Sequence, residues 1–315
     1  MSTVPIDAAG ISPQKPGKAR HTSASRNTDT NQQRSGVHQP LAATNAPKAS
    51  SSRQVQQEAV ASLPLRQLTP EQQAKVASVT AHTTVFRRMP AQVVRCDPDM
   101  YLFLVEHPEV LANIWGLAAQ KQAPAGIQEI KLTRTGPNTL TAHDGIGTQG
   151  DVEILHRSHD KHLLYASGSY DGPLFLKPVV GRGLLYLTTA YAREPDGTYY
   201  MTCQLDAFIA LERSGTELLA RTFSPIVGKV ADASFMQSLA FVQMLADISE
   251  VNPTGIDQLT PRLEYVQADV CEEFSLLAST AASRADQRRR AAAQRKEETL
   301  LRQARPQATD APRRR

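Results

Sequence analysis

The sequence predicts an α+β fold in which a curved antiparallel sheet of six to seven strands wraps a long C-terminal helix, with an additional helix after it. Three observations carry this. Between residues 126 and 212, short strand-like segments alternate with turn residues. The segment 199–211 alternates strictly, with Tyr199, Met201, Cys203, Leu205, Ala207, Ile209 and Leu211 on one face and Tyr200, Thr202, Gln204, Asp206, Phe208 and Ala210 on the other. From residue 226 the period changes from two to that of a helix. The intervals between strands are too short for the crossover helices that a parallel sheet requires, so the sheet is antiparallel.

Taken in order, residues 1–70 are rich in Ser, Thr, Gln, Pro and Ala and carry eight Lys/Arg against three Asp/Glu. They hold no sustained apolar pattern and are expected to form a disordered basic arm. The folded domain is expected over 71–255. A first helix starts at Thr69-Pro70, with threonine as cap and proline at the first helical position. Residues 85–96 supply a first strand that Pro90 confines to an edge or a bend. Asp97-Pro98-Asp99 starts a second short helix. Another begins at His107-Pro108, where Val110, Leu111, Ile114, Trp115 and Leu117 recur at three- and four-residue spacing. Trp115, the only tryptophan, is expected to anchor the core or a hinge.

Strands are expected at 127–134, 138–143, 150–157, 162–170, 174–180, 183–192 and 198–212. Gly136-Pro137-Asn138, Asp144-Gly145, His159-Asp160, Asp171-Gly172-Pro173, Gly181-Arg182-Gly183 and Pro195-Asp196-Gly197 separate them as turns. Gly168, inside a strand, is read as a bulge or a point of strong curvature. In the helix 226–251, Asp232, Gln243, Asp247 and Glu250 fall in one narrow arc, the expected solvent stripe. Phe241, Met244, Leu245, Ile248 and Val251 fall on the broad opposite side, with Phe235, Leu239 and Val242 extending it, expected to face the sheet. Asn252-Pro253 ends this helix. A packing helix is expected over 256–280, starting at Thr260-Pro261. A basic helical or disordered tail without a core role follows over 281–315, with eleven Lys/Arg and four Asp/Glu.

The net charge of +4 hides a division. Residues 71–280 carry 16 Lys/Arg and 24 Asp/Glu, so an acidic core sits between two basic arms. Positive charge confined to the arms argues against a folded nucleic-acid-binding surface and leaves the arms as contacts for anionic membranes or other polyanions. Cys96, Cys203 and Cys271 form no CxxC pair and no disulfide framework, which suits a reducing compartment. The first residues lack a basic segment followed by an apolar one, and no run of 18 apolar residues occurs. A cytoplasmic protein is the expectation.

No phosphate-binding glycine loop, HExxH or GxSxG motif is present, and no cofactor is implied. His156, His159 and His162 surround a turn and are read as turn chemistry, without metal. Asp206 is expected to point away from the apolar face and to pair with a cross-strand Arg182 or Arg193. A buried Asp206 facing a pocket would instead be a candidate base. The site residues expected for an apolar guest are Tyr165, Tyr186, Tyr199, Met201, Cys203, Leu205, Phe241, Met244, Leu245 and Ile248, with tyrosine hydroxyls to orient it. The same side chains could equally meet as a closed core.

The order strand, two short helices, six strands and a long helix resembles the START/SRPBCC superfamily over roughly residues 80–252. That resemblance implies the helix-grip fold, in which a seven-stranded antiparallel sheet curls around a C-terminal helix. It places the ligand between the sheet and the 226–251 helix. Members bind lipids, sterols, polyketides or other hydrophobic molecules, and some are cyclases. The resemblance therefore implies noncatalytic binding of a hydrophobic small molecule or lipid. A cyclase- or isomerase-like enzyme on the same fold, and a structural, protein-interaction or nucleic-acid-interaction factor acting through the basic tails, are the alternatives. The chain departs from the superfamily in its basic arms and its added C-terminal helix, and self-association is a further expectation.

Overall fold

The computed structural model describes residues 48–122, 131–145, 147–171, 178–212 and 216–304. Its elements are α1 (Arg53–Ser62), α2 (Pro70–Thr80), β1 (Val85–Arg88), β2 (Gln92–Arg95), α3 (Pro98–Glu106), α4 (Pro108–Gln122), β3 (Lys131–Gly136), β4 (Thr139–His143), β5 (Thr148–Arg157), β6 (Lys161–Tyr170), β7 (Val179–Arg193), β8 (Tyr199–Leu211), α5 (Thr216–Val251), α6 (Pro253–Leu259) and α7 (Ala268–Ala304). The expected α+β architecture is present: an antiparallel curved sheet, a long helix after the last strand and an additional helix beyond it.

Local chemistry explains the helix starts. The Thr69 side chain accepts from the Gln72 amide while the Gln72 side chain accepts from the Thr69 amide, a capping box with Pro70 in the first turn. Asp97 caps α3 by accepting from the Asp99 and Met100 amides, with Pro98 behind it. Asn252 caps α6 in the same way through the Gly255 amide.

The sheet runs β1-β8-β7-β6-β5-β4-β3, with every pair antiparallel, and β2 also pairs with β8. β1 and β2 are the two halves of the first strand, broken at Met89-Pro90-Ala91 because proline cannot donate to the ladder. One expected division is corrected. Gly181-Arg182-Gly183 is not a turn between two strands but lies inside β7, where Gly181 and Gly183 pair with Leu211 and Ile209. A strand hydrogen-bonded on both sides overrides a local glycine signal. Most of the expected strand at 174–180 lies outside the described residues.

The chain before residue 71 also departs from expectation. Residues 1–47 lie outside the described residues, but α1 forms within the segment assigned to the arm. Ala59, Leu63 and Leu68 are buried there with Val76 and Val79 of α2, against Phe86, Leu163, Leu184, Tyr186 and Phe208 of the sheet. Three apolar side chains spread over ten residues gave no periodic signal, and only the sheet surface unites them. Each face of β8 is therefore covered over part of its length. Its odd positions Met201 and Cys203 are buried under α3 and α5, while its even positions Phe208 and Ala210 are buried under α1 and α2.

The C-terminal segment is likewise corrected. A short 3-10 turn occupies Thr260–Arg262, and α7 then runs for 37 residues, about 55 Å, across the boundary expected at residue 280. Ala278, Ala281 and Ala285 are buried, Arg284 pairs with Asp97 and Asp99, and Arg288 pairs with Glu250. The first turns of the supposed tail thus belong to the core. Among the described residues, no helix is long and apolar enough to cross a membrane.

Candidate ligand-binding face

Residues directly opposed in an antiparallel ladder project to the same side of a sheet, so the register assigns the two faces. One face carries Leu132, Leu140, Ala142, Val152, Ile154, Leu164, Ala166, Leu185, Leu187, Leu205 and Ile209. At one end of the strands this face is roofed. Arg134 reaches Glu109 of α4 in two bonds of 2.6 and 3.0 Å, and Tyr101 of α3 lies over Thr189 and Cys203. At the other end Val152, Leu164, Ala166 and Ile209 are half-buried and Leu185 is 39% exposed. β8 ends at Leu211, whose side chain is on this face, and α5 begins at Thr216.

Glycine shapes the floor. Gly150 and Gly168 are paired across β5 and β6 on this face. A Cβ on Gly168 would stand 2.3 Å from the Gln149 carbonyl oxygen and 2.8 Å from the Gly150 Cα. Backbones that meet this closely on one face mean that the sheet folds toward it. Gly168 therefore serves curvature as expected, while the register shift in this pair lies elsewhere, between Ile154 and His156. The opposite face at the same height is polar, a 580 Å³ groove lined by Thr141, Gln149, Asp151, Ser167, Ser169 and Arg182 among others.

The ten expected site residues do not converge on one site, although Phe241, Met244, Leu245 and Ile248 come together along a 350 Å³ pocket with Ile114, Ile256 and Leu259. Met201, Cys203 and Leu245 are buried in one cluster with Met100, Tyr101 and Phe274, and Tyr199, Leu205 and Phe241 pack against it. There the sheet and helix meet as a closed core. Met244 and Ile248 turn outward at 43% and 36% exposure. Tyr165 and Tyr186 lie on the opposite face with the α1–α2 cluster, where the Tyr186 hydroxyl donates to the Ser62 carbonyl at 3.0 Å. Neither tyrosine can meet a ligand on the Met201 side. Trp115 is not a core anchor either, being 41% exposed with its ring 4.8 Å from Phe241.

Asp206, Tyr101, Cys203 and Glu109 have structural partners, whereas neither buried ring nitrogen of His162 has a hydrogen-bond partner. Asp206, 3% exposed, faces β1 and forms a two-pronged pair with Arg88, at 2.7 and 2.8 Å, rather than with Arg182 or Arg193. It sits on the face of Tyr186 and Phe208, away from the apolar curve. Tyr101 bonds Thr189 at 2.7 Å and Cys203 at 3.1 Å, and burial above all raises its pKa. Burial likewise pushes the Cys203 thiol up to about 11. At Glu109 burial pushes the carboxyl up, but hydrogen bonds from His107 and Arg134 outweigh it and hold it below its ordinary value. His162, 2% exposed, is lowered to about 4 by burial and then by the neighbouring Arg157. The three turn histidines diverge: His162 shares the apolar face, His156 pairs with Leu163 on the other, and His159 stacks on Tyr191 at 4.0 Å. Among the described residues, no group of three or more His, Cys, Asp or Glu is placed to hold a metal ion.

The half-open end of the apolar face was not among the expected sites. Its signal lay in the period-two pairs Val152/Ile154, Leu164/Ala166 and Leu185/Leu187, which register only when three strands are laid side by side.

No protein-family model and no curated protein matches the chain. Among solved structures, a conserved protein from Geobacillus kaustophilus aligns with 50% of this chain and 93% of its own, at 16% identity and a TM-score of 0.33. An uncharacterised protein from Rhizobium leguminosarum aligns over 50% and 97%, at 12% identity and 0.28. A protein from Rhizobium loti aligns over 50% and 94%, at 10% identity and 0.28. Likenesses at this level carry no argument about function.

Proposed function

We propose that the protein is a noncatalytic binding module for a hydrophobic small molecule or lipid, taken up on the curved apolar sheet face at the end where α5 begins. The observation that carries this reading is the registered run of Val152, Leu164, Ala166, Leu185 and Ile209 over the glycine floor of Gly150 and Gly168. Contiguous apolar surface left half-open on a folded domain marks a binding groove. The helix-grip-like order of elements agrees with the resemblance to the START/SRPBCC superfamily, in which the guest lies between sheet and helix. The noncatalytic reading is favoured because Asp206, the candidate base, is paired with Arg88 on the opposite face.

The test is saturable binding of an environment-sensitive apolar probe, 1-anilinonaphthalene-8-sulfonate, followed by displacement with palmitate, alongside organic extraction and mass spectrometry of the purified chain. Wild-type protein is expected to bind one probe per chain. Leu185→Asp, with unchanged circular dichroism, is expected to weaken this by about tenfold or more, since a carboxylate would have to be desolvated against the guest. Probe binding that neither saturates nor responds to Leu185→Asp, with no apolar molecule in the extract, would sink the proposal.

A further inference from the structure

The helix α5 is turned relative to its sequence pattern. The arc expected to face solvent points inward: Asp232 pairs with Arg87, Asp247 with Arg95, and Glu250 with both Arg95 and Arg288, the last at 2.7 Å. Phe235, Leu239, Val242 and Leu245 are buried as expected, whereas Met244, Ile248 and Val251 face out at 43%, 36% and 71% exposure. Met244 and Ile248 are more than bare surface. With Phe241 and Leu245 they form one stripe at helical spacing, and that stripe is a wall of the 350 Å³ pocket between α4, α5 and α6.

This pocket is a trough with a closed floor and one polar end. Ile114 of α4, Leu245 of α5 and Ile256 of α6 are buried beneath it, while Met244 and Ile248 line it and still reach solvent. The side chains that α4 and α5 contribute are all apolar, and the polar ones, Asn252, Gln258 and Arg262, come from the segment 252–262. Asn252 is spent on the cap of α6, where it accepts from the Gly255 amide at 3.0 Å. Arg262 is exposed and is the one charged residue among the described residues of the lining. No ion pair or hydrogen bond of the described residues engages its guanidinium. Residues 71–280 carry 24 Asp/Glu against 16 Lys/Arg, so a cation left without a counter-ion at the edge of an apolar trough is out of keeping with its surroundings. A guest that satisfies both parts has an apolar body and an anionic head, because the planar guanidinium fork matches a carboxylate. The volume and the apolar lining with few polar groups are those of a small-molecule site. We infer that the trough between α4, α5 and α6 binds a single-chain amphiphile, its chain along Phe241, Leu245 and Ile256 and its carboxylate on Arg262. Helical residues alone line this trough among the described residues, so the inference does not rest on ligand binding at the sheet face.

Trp115, the only tryptophan, stands with its ring 4.8 Å from that of Phe241 and reports on the trough. The experiment titrates the full chain with a brominated stearate at submicellar concentration, since bromine quenches tryptophan emission on contact. Saturable quenching at one molecule per chain is expected, reversed by palmitate. Arg262→Glu is expected to weaken binding of the acid by about tenfold or more, and to leave the brominated methyl ester, which brings no charge, within about twofold of wild type. Ala118→Phe, which fills the trough from an exposed position on α4, is expected to abolish quenching by acid and ester alike at unchanged circular dichroism. Leu185→Asp is expected to leave the quenching intact, so that failure of this site and failure of the sheet site are read apart. Absence of quenching overturns the inference, as does quenching that is equal for acid and ester and unmoved by Arg262→Glu. Quenching lost in Leu185→Asp but kept in Ala118→Phe overturns it by placing the guest on the sheet. Quenching seen only with vesicles of brominated phospholipid overturns it by assigning the surface to a membrane.

Discussion

Replacing Arg88 with alanine strands the Asp206 carboxylate, whose side chain is 5% exposed, beneath α1 and beside Tyr186 and Phe208. Breaking a buried pair by removing one partner costs about 3–5 kcal/mol, because the remaining charge keeps its desolvation penalty. Asp206→Asn is expected to cost less, about 1–2 kcal/mol. Arg88 retains 20% side-chain exposure, and Glu58 stands 3.7 Å from it, so its cation keeps both water and a partner. The doubly apolar Arg88→Met/Asp206→Leu protein is expected to stay within about 1 kcal/mol of wild type, since it removes the penalty together with the attraction. Urea unfolding followed by far-ultraviolet circular dichroism measures all three, as a shift of midpoint at constant slope. An Arg88→Ala cost below about 1 kcal/mol, or an Asp206→Asn cost equal to it, would refute the reasoning, because either outcome means that the carboxylate is not held in a dry site.

Acid should destabilise the fold through His162. Its pKa is about 4 in the folded chain and near 6.5 when unfolded, so between those values the unfolded chain takes up a proton that the folded chain refuses. Stability is complete above pH 6.5, falls as the pH drops toward 4, and the loss reaches about 3 kcal/mol. His162→Phe should flatten that part of the stability profile, and an unaltered profile would rule His162 out as its source. Gly168→Ala forces a Cβ to within 2.3 Å of the Gln149 carbonyl and should cost about 1–3 kcal/mol. Gly183→Ala, with its nearest contact at 3.3 Å, should cost clearly less, and equal midpoints would deny the close approach of β5 and β6. Tyr186→Phe removes the bond to Ser62 and should cost about 1 kcal/mol. Hydrogen exchange should then show faster opening of α1 than of β7, and uniform protection would count against a docking role for this hydroxyl.

Much of the architecture was legible because it rests on local chemistry. Proline after Thr69 and Asp97 marked two helix starts, Asn252-Pro253 marked the end of α5, and strict alternation marked β8. Pro90 announced the break between β1 and β2. The glycines were less decisive. Gly168 serves curvature as its place in a strand suggested, whereas Gly181 and Gly183 are held within β7 by pairing on both sides. The same local signal therefore had two outcomes, separated only by what lay alongside.

The site was less legible for the same reason. Alternation says that two faces of a strand differ, but not which element covers each. Phe208 and Ala210 read as a wetter face, and α2 closes over them together with Ala59, Leu63 and Leu68 from the supposed arm. The acidic arc of α5 read as solvent-facing, yet Arg87, Arg95 and Arg288, more than 30 residues away on other elements, draw it inward.

The sequence by itself determined the antiparallel strands, the helix that follows them, the acidic middle between basic ends, and the lack of a recognisable catalytic motif. These follow from period, caps and charge counts, which act over a few residues. Only the tertiary structure decided that helices pack on part of both faces of the sheet, that its core is closed beneath α3 and α5 while half-open at the other end, and that α5 turns Met244 and Ile248 outward. Those outcomes depend on which surface meets which, and burial energy is set by the partner that excludes water rather than by the pattern of one segment.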